Sequence, residues 1–212
     1  MENFRGRGEL DDALAVERHE LGWVRASDIC ARHLEGRDLC QNELDRFASL
    51  GVTASALGNP WPIVADHVVF RDNGLFDFAT DASEDQSVSV FTIVVSGLDG
   101  IRDIVAWEPR PNRLALWLGR AFALGEKEIW EPGLGGDPLP IWRSPLGWLR
   151  SGRQGLVILR PTAAPFYLDD VRAVVAEDLE HGEEVEKILT SPKPRTKILL
   201  PSRNTRSSRS AA

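Results

Sequence analysis

With 212 residues, 42% of them hydrophobic, the chain is long enough for one domain with a sizeable core and too ordinary in composition for a fibrous or wholly disordered protein. No apolar run approaches the roughly 18 residues a membrane helix needs, and Met1-Glu2-Asn3-Phe4-Arg5-Gly6-Arg7-Gly8 lacks the apolar stretch of a secretory signal, so a cytoplasmic protein without a membrane role is expected. The net charge of −7 is uneven: Lys193, Arg195, Lys197, Arg203, Arg206 and Arg209 crowd into 191–212 with no acid, and taking those six from the total leaves −13 on the rest.

Residues 1–8 read as a flexible lead-in. Glu9 to Leu21 spaces Leu10, Ala13, Leu14 and Leu21 on one helical stripe, with Gly22 at the stop. Ser27 is the expected N-cap of a second helix with Asp28 in its first turn, Ile29, Cys30, His33 and Leu34 on its apolar side and Gly36 at its end. Asn42 to Leu50 predicts a third helix, with Leu44, Phe47 and Ala48 inward and Gly51 at C′. The stretch 9–58 is therefore expected to form a helical lobe.

Asn59-Pro60-Trp61-Pro62 breaks the pattern, and the period changes to two. His67–Phe70 and Leu75–Phe78 flank Arg71-Asp72-Asn73-Gly74, where Asn73-Gly74 predicts a type I′ hairpin turn with φ > 0 at both positions. A polar loop follows over 81–87. Val88 to Val95 is a β-branched run suited to a central strand. Gly97-Leu98-Asp99-Gly100 turns the chain into a strand over Asp103–Trp107, and Pro109-Arg110-Pro111-Asn112 turns it again. Leu114, Trp117, Leu118, Ala121 and Phe122 fit a helix as well as a strand; a strand over Leu114–Leu118 and then a short helical segment is expected.

Residues 131–140 are Gly- and Pro-rich, a loop. Pro145–Arg150 predicts a short helix with proline in its first turn. Leu156–Leu159 reads as a buried strand, Arg172–Ala176 as another, and Asp178–Thr190 as a helix with Leu179, Val185, Ile188 and Leu189 inward and a Glu183–Lys187 pair. The expected architecture is α+β: a helical N-terminal lobe, a mainly antiparallel β-meander and a C-terminal strand–helix unit, with 59–190 as the α+β body, 9–190 as one domain and 191–212 as a disordered basic tail.

Chemistry is sparsely marked. Phosphate-loop, dinucleotide-binding, zincin and nucleophile-elbow motifs are absent from the sequence. Gly133-Leu134-Gly135-Gly136 has no lysine or helix cap after it and reads as a loop. Cys30, His33 and Cys40 lack a fourth ligand, so reduced thiols and a packed histidine are expected, with no metal or cofactor. Glu177, Asp178 and His181, where a strand meets a helix, are candidate catalytic groups. Acids in a first helical turn are equally explained by the helix dipole. Trp142, Arg143, Trp148, Arg150 and Arg153 form an acid-free stretch that could stack bases and hold phosphates, or be core with an internal cation–π contact. The six tail cations could contact nucleic acid or another anion, and Ile198-Leu199-Leu200-Pro201 could dock a protein partner. Before residue 191 the only lysines are Lys127 and Lys187, an arginine bias in keeping with a GC-rich bacterial genome.

The stretches Asp103–Trp107, Trp142–Leu159 and Val175–Gly182 resemble a family of alphaproteobacterial proteins that is itself similar to accessory genes of prophages and other mobile elements. The resemblance covers roughly residues 90–190 and implies no activity and no catalytic roles. The missing motifs, the Trp142–Arg153 stretch and the basic tail favour a non-enzymatic accessory or interaction protein, in one version serving DNA processing on a mobile element. A hydrolase or transferase using Glu177, Asp178 and His181 is the alternative.

Overall fold

The computed structural model describes residues 24–80, 86–130 and 137–190. The expected helix over 9–21, the Gly133–Gly136 cluster, the tail cations and the Ile198–Pro201 segment lie outside them. The architecture is α+β. No helix among the described residues is long and apolar enough to cross a membrane.

Carboxylates and hydroxyls set where the helices begin. Asp28 Oδ2 accepts the Arg25 backbone N–H at 3.0 Å, so helix α1 runs Ala26–Leu34 with Arg25 as N-cap. Ser27, the expected cap, is a residue of the first turn. Ile29 and His33 are fully buried, whereas Leu34, expected inward, is 56% exposed. Helix α2, Gln41–Ser49, repeats the device: Glu43 Oε2 accepts the Cys40 N–H at 2.7 Å. Gly51, at φ +83°, ends it as expected, but Ala48 faces solvent and Phe47 alone is deeply buried. Helix α3, Ala54–Gly58, was not expected; Thr53 Oγ1 caps it by accepting the Ala56 N–H at 3.2 Å.

The body is a six-stranded antiparallel sheet made of β1 Arg37–Asp38, β2 Val64–Phe70, β3 Phe76–Phe78, β4 Val88–Gly97, β5 Gly100–Glu108 and β6 Arg113–Leu116. The order is β1-β2-β4-β5-β6, with β3 also on β2. The β-branched run takes the central place expected of it. The β2–β3 hairpin is present with a different turn. Of its loop residues only Gly74, at φ +80°, is left-handed, and Arg71 N–H closes on the Leu75 carbonyl at 2.8 Å. This is a three-residue loop with glycine in the left-handed position. Asn73 Oδ1 contributes by accepting the Leu75 N–H at 3.0 Å. The hairpin tip reaches the far edge of the sheet: Leu75 bridges Leu116, and the Leu116 N–H donates to the Gly74 carbonyl at 3.1 Å.

Both faces of the sheet are covered. On one, Val90, Ile104 and Ala106 pack with Ile29 of α1. Below them His33 Nε2 donates to the Pro62 carbonyl at 2.7 Å, leaving Nδ1 to accept the Thr92 hydroxyl at 3.1 Å. On the other face Ile93, Val95, Val105 and Trp107 pack with Phe47 and Leu57. Fully burying a side chain such as Ile29 or Ile104 contributes about 2 kcal/mol.

The helical segment expected after Leu118 is absent. Asp103 is completely buried, and its carboxylate accepts the backbone N–H groups of Ile104 and Leu118 (2.9 Å each), Arg120 (2.7 Å) and Ala121 (3.2 Å). Those amides cannot also close helical turns, and Gly119 at φ +66° turns the chain over. The apolar spacing of 114–122 fits either structure, and a buried acceptor decides between them.

The C-terminal unit pairs β7 (Ala123–Leu124) with β9 (Val157–Ile158) antiparallel and β8 (Leu139–Pro140) with β10 (Val174–Val175) parallel. Leu139–Pro140 had been expected within a loop. Helices α4 (Lys127–Trp130), α5 (Pro145–Arg150), α6 (Ala164–Tyr167) and α7 (Leu179–Leu189) surround them; α4 and α6 were not expected. Ser144 caps α5 and Asp178 caps α7. Val185 is buried at 3% exposure, whereas Leu179, expected inward, is 81% exposed at the first position of its helix. Arg102 on β5 reaches buried Glu126 at 2.9 Å and ties this unit to the sheet.

Candidate functional site

Sheet, α2 and C-terminal unit meet around a cleft of about 600 Å³. Helix α2 supplies Glu43, Arg46 and Phe47, with Leu50 at its C-cap. Their spacing of i, i+3, i+4 and i+7 places them on one helical stripe. Phe91 and Trp107, direct partners across β4 and β5, form the floor with Phe47. The ring centroids are 5.0 Å apart for Phe47–Phe91, 6.2 Å for Phe47–Trp107 and 6.1 Å for Phe91–Trp107, all tilted, as aromatic quadrupoles favour. The floor is packed: Phe47 is 4% and Trp107 2% exposed.

The floor and the wall of the C-terminal unit are joined by one asparagine. Asn112 holds a left-handed φ of +51°, uncommon for a residue with a side chain. Its Oδ1 accepts the Trp107 indole N–H at 3.2 Å, and its Nδ2 donates to the Arg143 carbonyl at 3.4 Å. That wall is Arg143, Ser144, Leu146 and Glu177. Glu177 Oε1 accepts the Arg143 backbone N–H at 3.3 Å and lies so close to Gly147 that a Cβ there would come within 2.7 Å of it.

Most of the polar lining is already engaged. Arg37 grips Glu43 through both terminal nitrogens at 2.8 and 3.0 Å, which holds that carboxyl down at about 2. The Arg143 guanidinium turns to α7, with Asp178 at 2.5 and 3.0 Å and Glu180 and Glu184 at 3.6 Å. That contact lowers the Asp178 carboxyl below its ordinary range and raises the guanidinium. The two stretches singled out in the sequence, one acidic and one basic, are thus bonded to each other.

The candidate catalytic residues part company. Glu177 lines the cleft. Asp178 caps α7, accepting the His181 N–H at 2.8 Å, while it holds Arg143. His181 is 4% exposed, and its Nδ1 accepts the Glu177 backbone N–H at 3.2 Å. Asp103 on β5 does not join them: its buried carboxylate is held by four backbone amides, and burial pushes its pKa up against the opposing pull of those bonds.

In the Arg/Trp stretch, Trp142 Nε1 donates to the Gln154 carbonyl at 2.7 Å and buried Trp148 donates to the Gly155 carbonyl at 3.0 Å. Arg153 lies 5.4 Å from the Trp148 ring centroid and donates to the carbonyls of Ala56 at 2.6 Å and Trp61 at 2.9 Å. Burial pushes its pKa down to about 10, still cationic at neutral pH. Arg150 is exposed. His33 spends both ring nitrogens on Pro62 and Thr92, and no group of three His, Cys, Asp or Glu able to hold a metal occurs among the described residues.

Glu43, Arg46, Leu50, Phe91 and Asn112 were not singled out in the sequence. The i, i+3, i+4, i+7 spacing of Glu43, Arg46, Phe47 and Leu50 was the available signal. The chain matches no family model, no curated protein and no solved structure, so none of these comparisons links residues 90–190 to a mobile-element family.

Proposed function

We propose that this chain is a non-enzymatic accessory protein that binds a small ligand in the cleft between α2 and the C-terminal unit. The cleft carries the reading. Its volume of about 600 Å³ falls within the roughly 300–1,000 Å³ typical of small-molecule sites, and an apolar floor with a few polar groups from separate elements is the usual composition of such sites. The non-enzymatic half is supported by Asp178, which would have to leave the α7 cap and Arg143 to act on a substrate, and by His181, which is only 4% exposed with its Nδ1 on the Glu177 N–H.

The test is a titration with 8-anilinonaphthalene-1-sulfonate. Saturable binding to one site is expected, lost in Leu50→Asp, which places a charge at a rim position already 41% exposed. Circular dichroism melts establish that the variant folds. Non-saturable binding, or binding unchanged by the substitution, would sink the reading. The expectation of a nucleic-acid partner is tested beside it by gel shift with single- and double-stranded DNA at two salt concentrations. A salt-sensitive complex would favour the DNA-processing version.

A second reading rests on one observation: Glu177 lines the cleft and its backbone is bonded to His181. Turnover of p-nitrophenyl esters or phosphates that disappears in Glu177→Gln would replace binding by hydrolysis.

A further inference from the structure

We propose that the cleft takes a zwitterion with an apolar body, the chemistry shared by hydrophobic amino acids and short hydrophobic peptides. The inference rests on the binding reading above and follows from what the lining still has to offer once its internal bonds are counted. Glu43 is saturated by Arg37 and the Cys40 N–H, and the Arg143 guanidinium by Asp178, Glu180 and Glu184. Two charges remain. Arg46 is exposed on the α2 stripe, and its guanidinium has no hydrogen-bond or ion-pair partner among the described residues. Glu177, on the wall contributed by the C-terminal unit, has one oxygen on the Arg143 N–H and the other open. The two are not paired with each other. Ser144 adds a hydroxyl whose oxygen already accepts the Gly147 N–H at 3.4 Å, leaving its proton to donate.

One cation and one anion on separate walls over an apolar, aromatic floor make a dipolar site. A purely anionic ligand would meet Arg46 and leave Glu177 without a counter-charge, and a purely cationic one the reverse. A ligand with both charges meets each with its complement and lays its apolar side chain between Leu50 and Leu146, over the floor. A charge-assisted bond at each end is worth about tenfold in affinity.

The experiment is calorimetric titration of the full chain with leucyl-phenylalanine, with its N-acetylated and C-amidated forms, and with phenylalanine, which separates amino acid from peptide. The unblocked dipeptide or phenylalanine is expected to bind. For the compound that binds, N-acetylation should weaken binding about tenfold in the wild type and not at all in Glu177→Gln. C-amidation should do the same in the wild type and nothing further in Arg46→Gln. Blocked forms that bind as tightly as the free compound overturn the proposal, as do losses that persist undiminished in both variants. Anilinonaphthalene sulfonate binding without any zwitterion binding sinks this inference and leaves the cleft a ligand site. Failure of both classes of probe ends both readings. Thermal melts of the two variants, whose changed side chains are solvent-facing, keep folding out of the comparison.

Discussion

Asp103, buried on strand β5, and Arg143 at the cleft rim are both charged hubs, and they are built in opposite ways. Asp103 has no exposure and gathers four backbone amides from one strand and one loop. Arg143 keeps 30% of its side chain in water and gathers three carboxylates, each at least half exposed. The buried hub dictates backbone shape, because amides without an acceptor in an apolar interior are costly. The exposed hub joins two units through charges that water and salt screen, so it contributes less. Charge count alone would rank Arg143 first; burial reverses the order.

The sharpest way to break that ranking is Asp103→Ala. It strands four backbone amides, two of them fully buried, and should cost about 4 kcal/mol, enough to unfold a marginal domain. Urea midpoints measure it, and a loss below about 1 kcal/mol would show that water takes over the carboxylate's role. A middle-sized effect is expected at His33, which shares the buried side of the comparison. Burial holds its pKa below 6.5, against the opposing pull of the Pro62 carbonyl and Asp66. The unfolded chain therefore takes up the proton first. Stability should be flat above about pH 6.5 and decline as the pH falls below it, by at most about 1.4 kcal/mol per pH unit from this one group. Urea midpoints between pH 7 and 5 should fall less steeply in His33→Gln; parallel slopes would remove the assignment. The smallest effect is expected at Arg143→Ala: a modest fall in melting temperature that shrinks as salt rises to 1 M. A loss indifferent to salt would place Arg143 with the buried hubs.

The sequence shows these regions unequally. The central strand, the β2–β3 hairpin and α5 are visible because each has a local cause: a β-branched run, an Asn-Gly pair, a Ser-Pro helix start. The course of 117–122 is not, since the acceptor that shapes it, Asp103, lies more than a turn of chain away in the neighbouring strand. The cap of α1 is displaced by the same kind of rule, an acid at the third helical position outranking a serine. For the site, Glu177 was legible as a charged residue at a strand–helix junction. The residues facing it across the cleft were not, because Arg46, Phe91 and Asn112 come together only when separate elements pack. Likewise, an acid-free stretch of arginine and tryptophan looks like a phosphate platform until Arg153 is seen on two carbonyls and Arg143 on α7.

The reach of the β2–β3 hairpin to Leu116 has one more result. A terminal strand in an open sheet shows a row of unused amides and carbonyls to any passing chain, and such rows seed self-association. Here the tip of a hairpin from the opposite side of the sheet occupies part of that row through the Gly74 carbonyl and the Leu75–Leu116 bridge. A second copy adding itself along β6 would first have to peel that tip away. The sheet's own curl thus guards against aggregation at an edge whose sequence, Arg113-Leu114-Ala115-Leu116, carries a single charge.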